Sequence, residues 1–319
     1  MRRTLTLFAL FLPFSAVVAA DPPTHTLKSD DLTLTVYLPD ATDGYYRGTR
    51  FDWSGVFSVQ FGTHKLFGPW RKPDPLAHDA VVGPCEEFGT TAALGYDDAK
   101  PGETFLKIGV GALGTPEKEE KYSQFKTYKF ARPPEWKVTA GEAKVTFEQT
   151  AAAGGYGYKY TKIVAVQNAE VRVQHVLENT GKKGISTDHY NHNFFNVDGD
   201  PVGENYTLEF AFEPKAEVAR ERWKEVVKLD GKKLVFTDSL AKGTIYGELG
   251  GFGKEVKDNR LSLKHAKSGV AVRVTGDRPL SACRVWAIGS AFCPEPFMQF
   301  DVEPGKRAVW SWTYEFTKK

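Results

Sequence analysis

The sequence predicts an all-β protein, either a sheet-on-sheet sandwich or a closed barrel. Three observations carry this expectation. Short runs rich in valine, threonine, phenylalanine and tyrosine, alternating between apolar and polar residues, recur along most of the chain. Turn signals such as Asp230-Gly231, Lys267-Ser268-Gly269 and Glu303-Pro304-Gly305 separate them. Only residues 214–228 have any helical character, and that is weak. Many short strands with regular turns bury their apolar faces by stacking sheets or closing one.

In chain order, residues 1–20 read as a secretory signal peptide. Arg2 and Arg3 form a basic start, residues 5–18 an apolar run, and Val18-Ala19-Ala20 a small-residue cleavage site. The run is short for a bilayer span, and Pro13 interrupts it. The mature chain is expected to begin at Asp21 and to be exported, periplasmic or secreted. No later apolar stretch approaches spanning length, so no membrane insertion is expected after signal removal. Strands are predicted over 32–38, 55–61, 104–110, 143–149, 158–166 and 170–178. The last two are joined by a hairpin break at Gln167-Asn168-Ala169. Further strands are predicted over 206–212, 234–237, 261–265, 269–274, 284–288, 298–302 and 308–316. The patch 151–155 reads as an exposed hairpin loop, and the glycine-rich 247–253 as an irregular loop. Residues 21–319 show no linker, composition shift or fixed-period repeat, which predicts a single domain.

Composition narrows the function classes. The chain has 319 residues, 41% hydrophobic and 13% aromatic, enough for a large core. A formal net charge of +2 gives no electrostatic ground for binding nucleic acid or an acidic membrane surface. Three cysteines, Cys85, Cys283 and Cys293, are an odd number, too few for a stapled scaffold and without zinc-type spacing. There is no Walker-type loop and no strand-Gly-x-Gly-x-x-Gly-helix unit, so nucleotide binding has no support.

Three stretches carry candidate chemistry. The first is Asp188-His189-Tyr190-Asn191-His192-Asn193-Phe194-Phe195-Asn196-Val197, where histidines, asparagines and aromatics crowd together. Its aromatic content predicts a strand. Alternation then puts Asp188, Tyr190, His192, Phe194 and Asn196 on one face, and His189, Asn191, Asn193, Phe195 and Val197 on the other. The first face offers an aromatic floor with a proton-transfer group at its centre. The competing reading is a histidine satisfied by hydrogen bonds inside a core. A metal site on Asp188, His189 and His192 is disfavoured, because His189 and His192 point to opposite faces of a strand. The second segment is Ala291-Phe292-Cys293-Pro294-Glu295-Pro296-Phe297. Proline on either side restricts Glu295 and predicts a strand end or bulge. The apolar neighbours Phe292, Phe297 and Met298 would desolvate the carboxylate and raise its pKa. The alternative is a solvated surface turn. A third cluster, Tyr45-Tyr46-Arg47-Gly48-Thr49-Arg50-Phe51-Asp52-Trp53 with the later Gly83-Pro84-Cys85-Glu86-Glu87-Phe88-Gly89, suits a polyhydroxylated ligand. It equally suits a half-exposed strand pair.

The segment Asn191-His192-Asn193-Phe194-Phe195-Asn196-Val197 resembles the Asn-His-Thr/Ser-Tyr-Phe-Asn-Leu motif of the aldose 1-epimerases (galactose mutarotases). Cys293-Pro294-Glu295-Pro296-Phe297 is similar to their later Cys-Leu-Glu-Thr/Pro-Gln segment. Val302-Glu303-Pro304-Gly305 followed by Trp312-Thr313-Tyr314-Glu315-Phe316 resembles their final turn and strand. The resemblance implies a large antiparallel β-sandwich with a sugar cleft, and a sugar or short oligosaccharide as partner. It further implies His192 as the acid that protonates the ring oxygen, Glu295 as the base at the anomeric hydroxyl, and no cofactor. Two family segments are absent. The histidine of Asn-x-Leu-His-Gly-Gly has no counterpart in Thr104-Phe105-Leu106-Lys107-Ile108-Gly109-Val110-Gly111, and the Gly-Arg-x-x-Asn-Arg segment is missing. The sugar-holding set is therefore expected to be rebuilt, with Arg50, Glu87 and Lys107 as candidates beside Asn191 and Phe194. A lysine in place of the histidine would favour an anionic or strongly accepting substituent. The leading expectation is an exported enzyme interconverting sugar anomers. The alternatives are a non-catalytic carbohydrate-binding protein on the same fold, and a polysaccharide lyase or hydrolase on a related sandwich.

Overall fold

The computed structural model describes residues 21–318; the predicted signal peptide lies outside them. Two antiparallel sheets face one another. The larger has ten strands, running in space from Val227–Asp230 through Lys233–Phe236, Tyr206–Phe210, Arg260–His265, Val270–Gly276, Arg307–Lys318, Glu170–Asn179 and Tyr156–Gln167 to Lys144–Ala153 and the edge strand Lys137–Ala140. The smaller has six, in the spatial order Lys215–Glu221, Thr244–Gly250, Ala282–Ile288, Ala291–Val302, Ile185–His192 and Cys85–Phe88. A four-stranded sheet near the N-terminus and a three-stranded one built on Thr104–Lys107 and Gly111–Gly114 flank them.

Alternation explains why the sequence stacks this way. Glu170–Asn179 buries every second residue, including Val171, Val173 and Leu177. Trp310, Trp312 and Tyr314 do the same on Arg307–Lys318. The six-stranded sheet answers with Ile185, Val285, Phe292, Met298 and Phe300, so that Phe300 and Trp310 meet at 4.2 Å across the interface. Fully burying a residue of this kind contributes about 1.5–3 kcal/mol, which places the main stabilisation between the two sheets.

Several local expectations are corrected. Lys144–Ala153 continues as strand through the predicted loop, and the turn is made by Gly154 and Gly155 at φ 58° and 88°. Thr244–Gly250 is a strand of the six-stranded sheet, where an irregular loop was expected. Gly247 is needed there because a Cβ would stand 2.4 Å from the Trp223 ring. The weak helix over 214–228 is instead the strand Lys215–Glu221, one turn Trp223–Val226 and the strand Val227–Asp230.

The largest correction concerns Glu295, predicted at a strand end or bulge. It lies inside the continuous strand Ala291–Val302, with Pro294 and Pro296 in register opposite Val285 and Cys283. The prolines are tolerated because the ladder on their other side has already ended, at Tyr190 opposite Phe297. A residue's N and C=O point to the same side of an antiparallel strand. The Pro294 carbonyl accepts from Asn193 Nδ2 at 2.7 Å, so its missing N–H also faces the side where no ladder needs it.

Candidate active site

The outer face of the six-stranded sheet floors a cavity of about 660 Å³. His192 ends its strand, and Glu295 lies on the next one. The ladder pairs Tyr190 with Phe297, so two residues further along each strand His192 comes opposite Glu295. His192 Nε2 and Glu295 Oε1 are 3.2 Å apart, with the residues 6% and 7% exposed. The two groups sit side by side on one wall of the cavity.

Three rings fix the imidazole. Phe194 stacks on it at 4.0 Å, while Phe51 and Trp286 meet it edge-on at 5.6 and 5.8 Å. Phe194 reaches that position because it adopts φ 38°, which breaks the strand just after His192. Burial dominates the electrostatics of both groups. It pushes the Glu295 carboxyl up to about 8, against the opposing pull of Arg50 and Arg284. It drives the His192 imidazole well below its ordinary value, and the Arg50 charge adds to that. At neutral pH the pair therefore holds one proton, mainly on the carboxyl, and is uncharged overall. Moving that proton to the imidazole leaves the net charge unchanged.

The expected ligand-holding residues divide. Arg50 and Phe194 line the cavity. Arg50 is held from behind, its Nε donating to Glu87 Oε2 at 3.0 Å and its Nη2 to the Tyr190 hydroxyl at 3.2 Å. Glu87 and Lys107 do not reach the cavity; they are 0% and 2% exposed and pair with each other at 2.8 Å. Burial alone would push Glu87 up, but Lys107 and Arg50 outweigh it and hold it below the usual carboxylate range. Both residues are corrected from ligand contacts to supports of Arg50, because their charges are satisfied internally. Asn191 is also corrected: it points into the core and donates to the Tyr314 hydroxyl at 2.7 Å.

Sequence reasoning missed Trp70, Thr90, Phe125, Arg220, Tyr246, Arg284 and Trp286, all of which line the cavity. A signal existed for two of them. In Ala282–Ile288, Cys283, Val285 and Ala287 are buried while Arg284 and Trp286 alternate to the other face. Gly289-Ser290 then turns that strand back antiparallel onto the one carrying Glu295.

Behind the site, between the sheets, lies a second polar group. Glu86 contacts Lys162 and lies 3.1 Å from His175 Nε2, and Lys162 also reaches Asp52 at 3.3 Å. Ligand atoms of Glu86, His175 and His189 fall within 4.8 Å of one another. Their donor chemistry does not suit a metal. Trp310 Nε1–H donates to His189 Nδ1 at 3.2 Å, which puts the imidazole proton on Nε2 and leaves that nitrogen no lone pair. The Lys162 ammonium already supplies a cation beside Glu86.

The two-sheet architecture has counterparts among solved structures. The chain has the galactose mutarotase-like fold. It is similar to the Slr1438 protein of Synechocystis sp. PCC 6803 (TM-score 0.61, 12% identity, 96% of this chain and 100% of that one). It is also similar to a putative aldose 1-epimerase of Escherichia coli K12 (0.55, 12%, 93% and 99%). A GalM/aldose epimerase homologue of C. elegans has the same fold (0.55, 15%, 93% and 99%). No family model and no curated protein matches the chain by sequence. The resemblance carried by the motifs thus holds at the level of the fold, in a divergent chain.

Proposed function

We propose that this protein interconverts the anomers of an aldose by acid–base ring opening. The observation that carries the reading is the His192–Glu295 pair, 3.2 Å apart on the cavity wall and holding one exchangeable proton. In a cyclic aldose the ring oxygen and the anomeric hydroxyl oxygen are bonded to the same carbon. Two adjacent groups on one wall can therefore address both. With the proton on His192, Glu295 removes the hydroxyl proton, C1–O1 becomes a carbonyl, the bond from C1 to the ring oxygen breaks, and His192 protonates that oxygen. Rotation about C1–C2 and the reverse transfers close the ring as the other anomer. Concerted proton transfer by positioned groups is a general acid–base mechanism. Arg50 beside the pair, and Trp70, Phe125 and Trp286 around it, offer the polar and aromatic surfaces that suit a sugar.

A specific observation favours a second reading, a non-catalytic sugar-binding protein. Lys107, in the segment matching the family's sugar-holding histidine, is turned away from the cavity onto Glu87. Saturation-transfer NMR of anomer exchange, at low buffer concentration and over a panel of aldoses, separates the two. The enzyme reading expects acceleration by the wild type and a loss of about 10²–10⁴-fold in His192→Asn and in Glu295→Gln, with affinity falling far less. Exchange at the buffer rate with a sugar that demonstrably binds would leave the binding protein.

A further inference from the structure

Among the described residues, two arginines of the cavity, Arg284 and Arg220, find no ion-pair partner, and they stand on one side of the acid–base pair. Ala282–Ile288 lies next to the strand of Glu295, and its register sets Arg284 opposite Glu295. Arg284, Glu295 and His192 thus form a row across three neighbouring strands, each step about 4.8 Å. The Arg284 guanidinium lies over the Phe297 ring at 4.4 Å, and its Nε is buried without a hydrogen-bond partner. Arg220, further along the same side, lies over the Tyr246 ring at 5.5 Å. Tyr246 in turn is in register with Trp286.

The nearby carboxylates do not neutralise these cations. Glu87 is taken by Arg50 and Lys107, and Asp79 by Arg71 at 3.1 Å. Burial keeps the Glu295 carboxyl protonated at neutral pH. Glu248 is in register with Arg284 but turns to the Tyr246 hydroxyl at 2.9 Å, makes no ion pair with Arg284 among the described residues and does not line the cavity. Among the described residues that leaves Glu221 at the cavity wall, and it is exposed. A guanidinium with free N–H donors on a ring-lined wall is weakly hydrated and matches the two oxygens of an oxyanion.

We propose that the cavity takes an aldose bearing an anionic substituent, a carboxylate or an ester phosphate or sulfate. Arg284 and Arg220 bind that substituent while C1 sits over His192 and Glu295. The spacing fits, since one strand step from the pair to Arg284, about 4.8 Å, is on the order of the width of a pyranose ring. The substrate class rests on the anomerase reading only for the placement of C1; the arginine pair stands on its own geometry.

The test is calorimetric titration of the full mature chain with glucose, galactose, their uronates, glucose 6-phosphate and glucose 6-sulfate, followed by anomer-exchange NMR on each sugar that binds. An anionic sugar should bind about 10- to 100-fold more tightly than its neutral parent, as one charge-assisted contact implies. The advantage should shrink with added salt. Arg284→Gln should remove most of it, so that the anionic sugar binds within about threefold of its neutral parent. Should that variant fail to fold, as a melting curve would reveal, the exposed Arg220→Gln carries the same comparison. The uronate and ester arms say which oxyanion is preferred. Equal affinity for neutral and anionic sugars, or a preference that survives both substitutions, overturns the proposal while the anomerase reading stands. Tight anionic binding without accelerated exchange does the reverse.

Discussion

Glu295 shows how one residue's surroundings set its chemistry. Flanking prolines hold its backbone extended, the sheet register places it against His192, and burial raises its carboxyl from the usual 4.5 to about 8. Between those two values the folded protein keeps a proton that the unfolded chain has lost. Folding stability should therefore fall as pH rises through this window, by up to roughly 1.4 kcal/mol per pH unit, and level off above it. Glu295→Gln replaces the group with one that never ionises. The variant's melting temperature should gain on that of the wild type steadily between pH 5 and pH 8. Parallel melting curves across that range would show that the carboxyl is not desolvated.

At the scale of the element, the short strand Cys85–Phe88 is buried along its whole length yet carries two adjacent glutamates. Alternation sends Glu86 between the sheets to Lys162 and His175, and Glu87 to the site side, where it holds Arg50. The two carboxylates share a strand and serve different purposes. Removing one partner of a buried ionic network costs about 3–5 kcal/mol. Glu86→Gln is thus expected to lower stability by that order in denaturant titrations, with ligand affinity unchanged because Arg50 stays in place. A variant as stable as the wild type would mean that the inner network contributes specificity and not stability.

Over the whole molecule, residues far apart in sequence converge on one cavity, from Arg50 through His192 to Glu295. Two stacked antiparallel sheets give those side chains fixed neighbours. The three cysteines are all buried and unpaired, so packing and the buried ionic groups hold this structure without a disulfide. We propose that the chain is nonetheless exported, on the basic start and the small-residue site that precede Asp21. Mass spectrometry of protein recovered outside the cytoplasm should find an N-terminus at or within a few residues of Asp21. Recovery of exported material still carrying residues 1–20 would refute cleavage there.

The sequence by itself determined the all-β class, most of the strands, the two faces of the histidine segment and the two residues, His192 and Glu295, that meet in the cavity. Each of these follows from local signals, since alternation, turn residues and short motifs act over a few positions. Only the tertiary structure decided which charges reach the ligand. Lys107 looked available until Glu87 folded against it, Asn191 until Tyr314 took its amide, and Arg284, which alternation sets on the face away from the core, met the cavity only through sheet order. Sheet order and register determine whether a charged side chain finds an internal partner, and both depend on contacts between strands distant in sequence. The prolines around Glu295 teach the same lesson: they were compatible with a central strand because the neighbouring ladder ends at Phe297, before it reaches either of them.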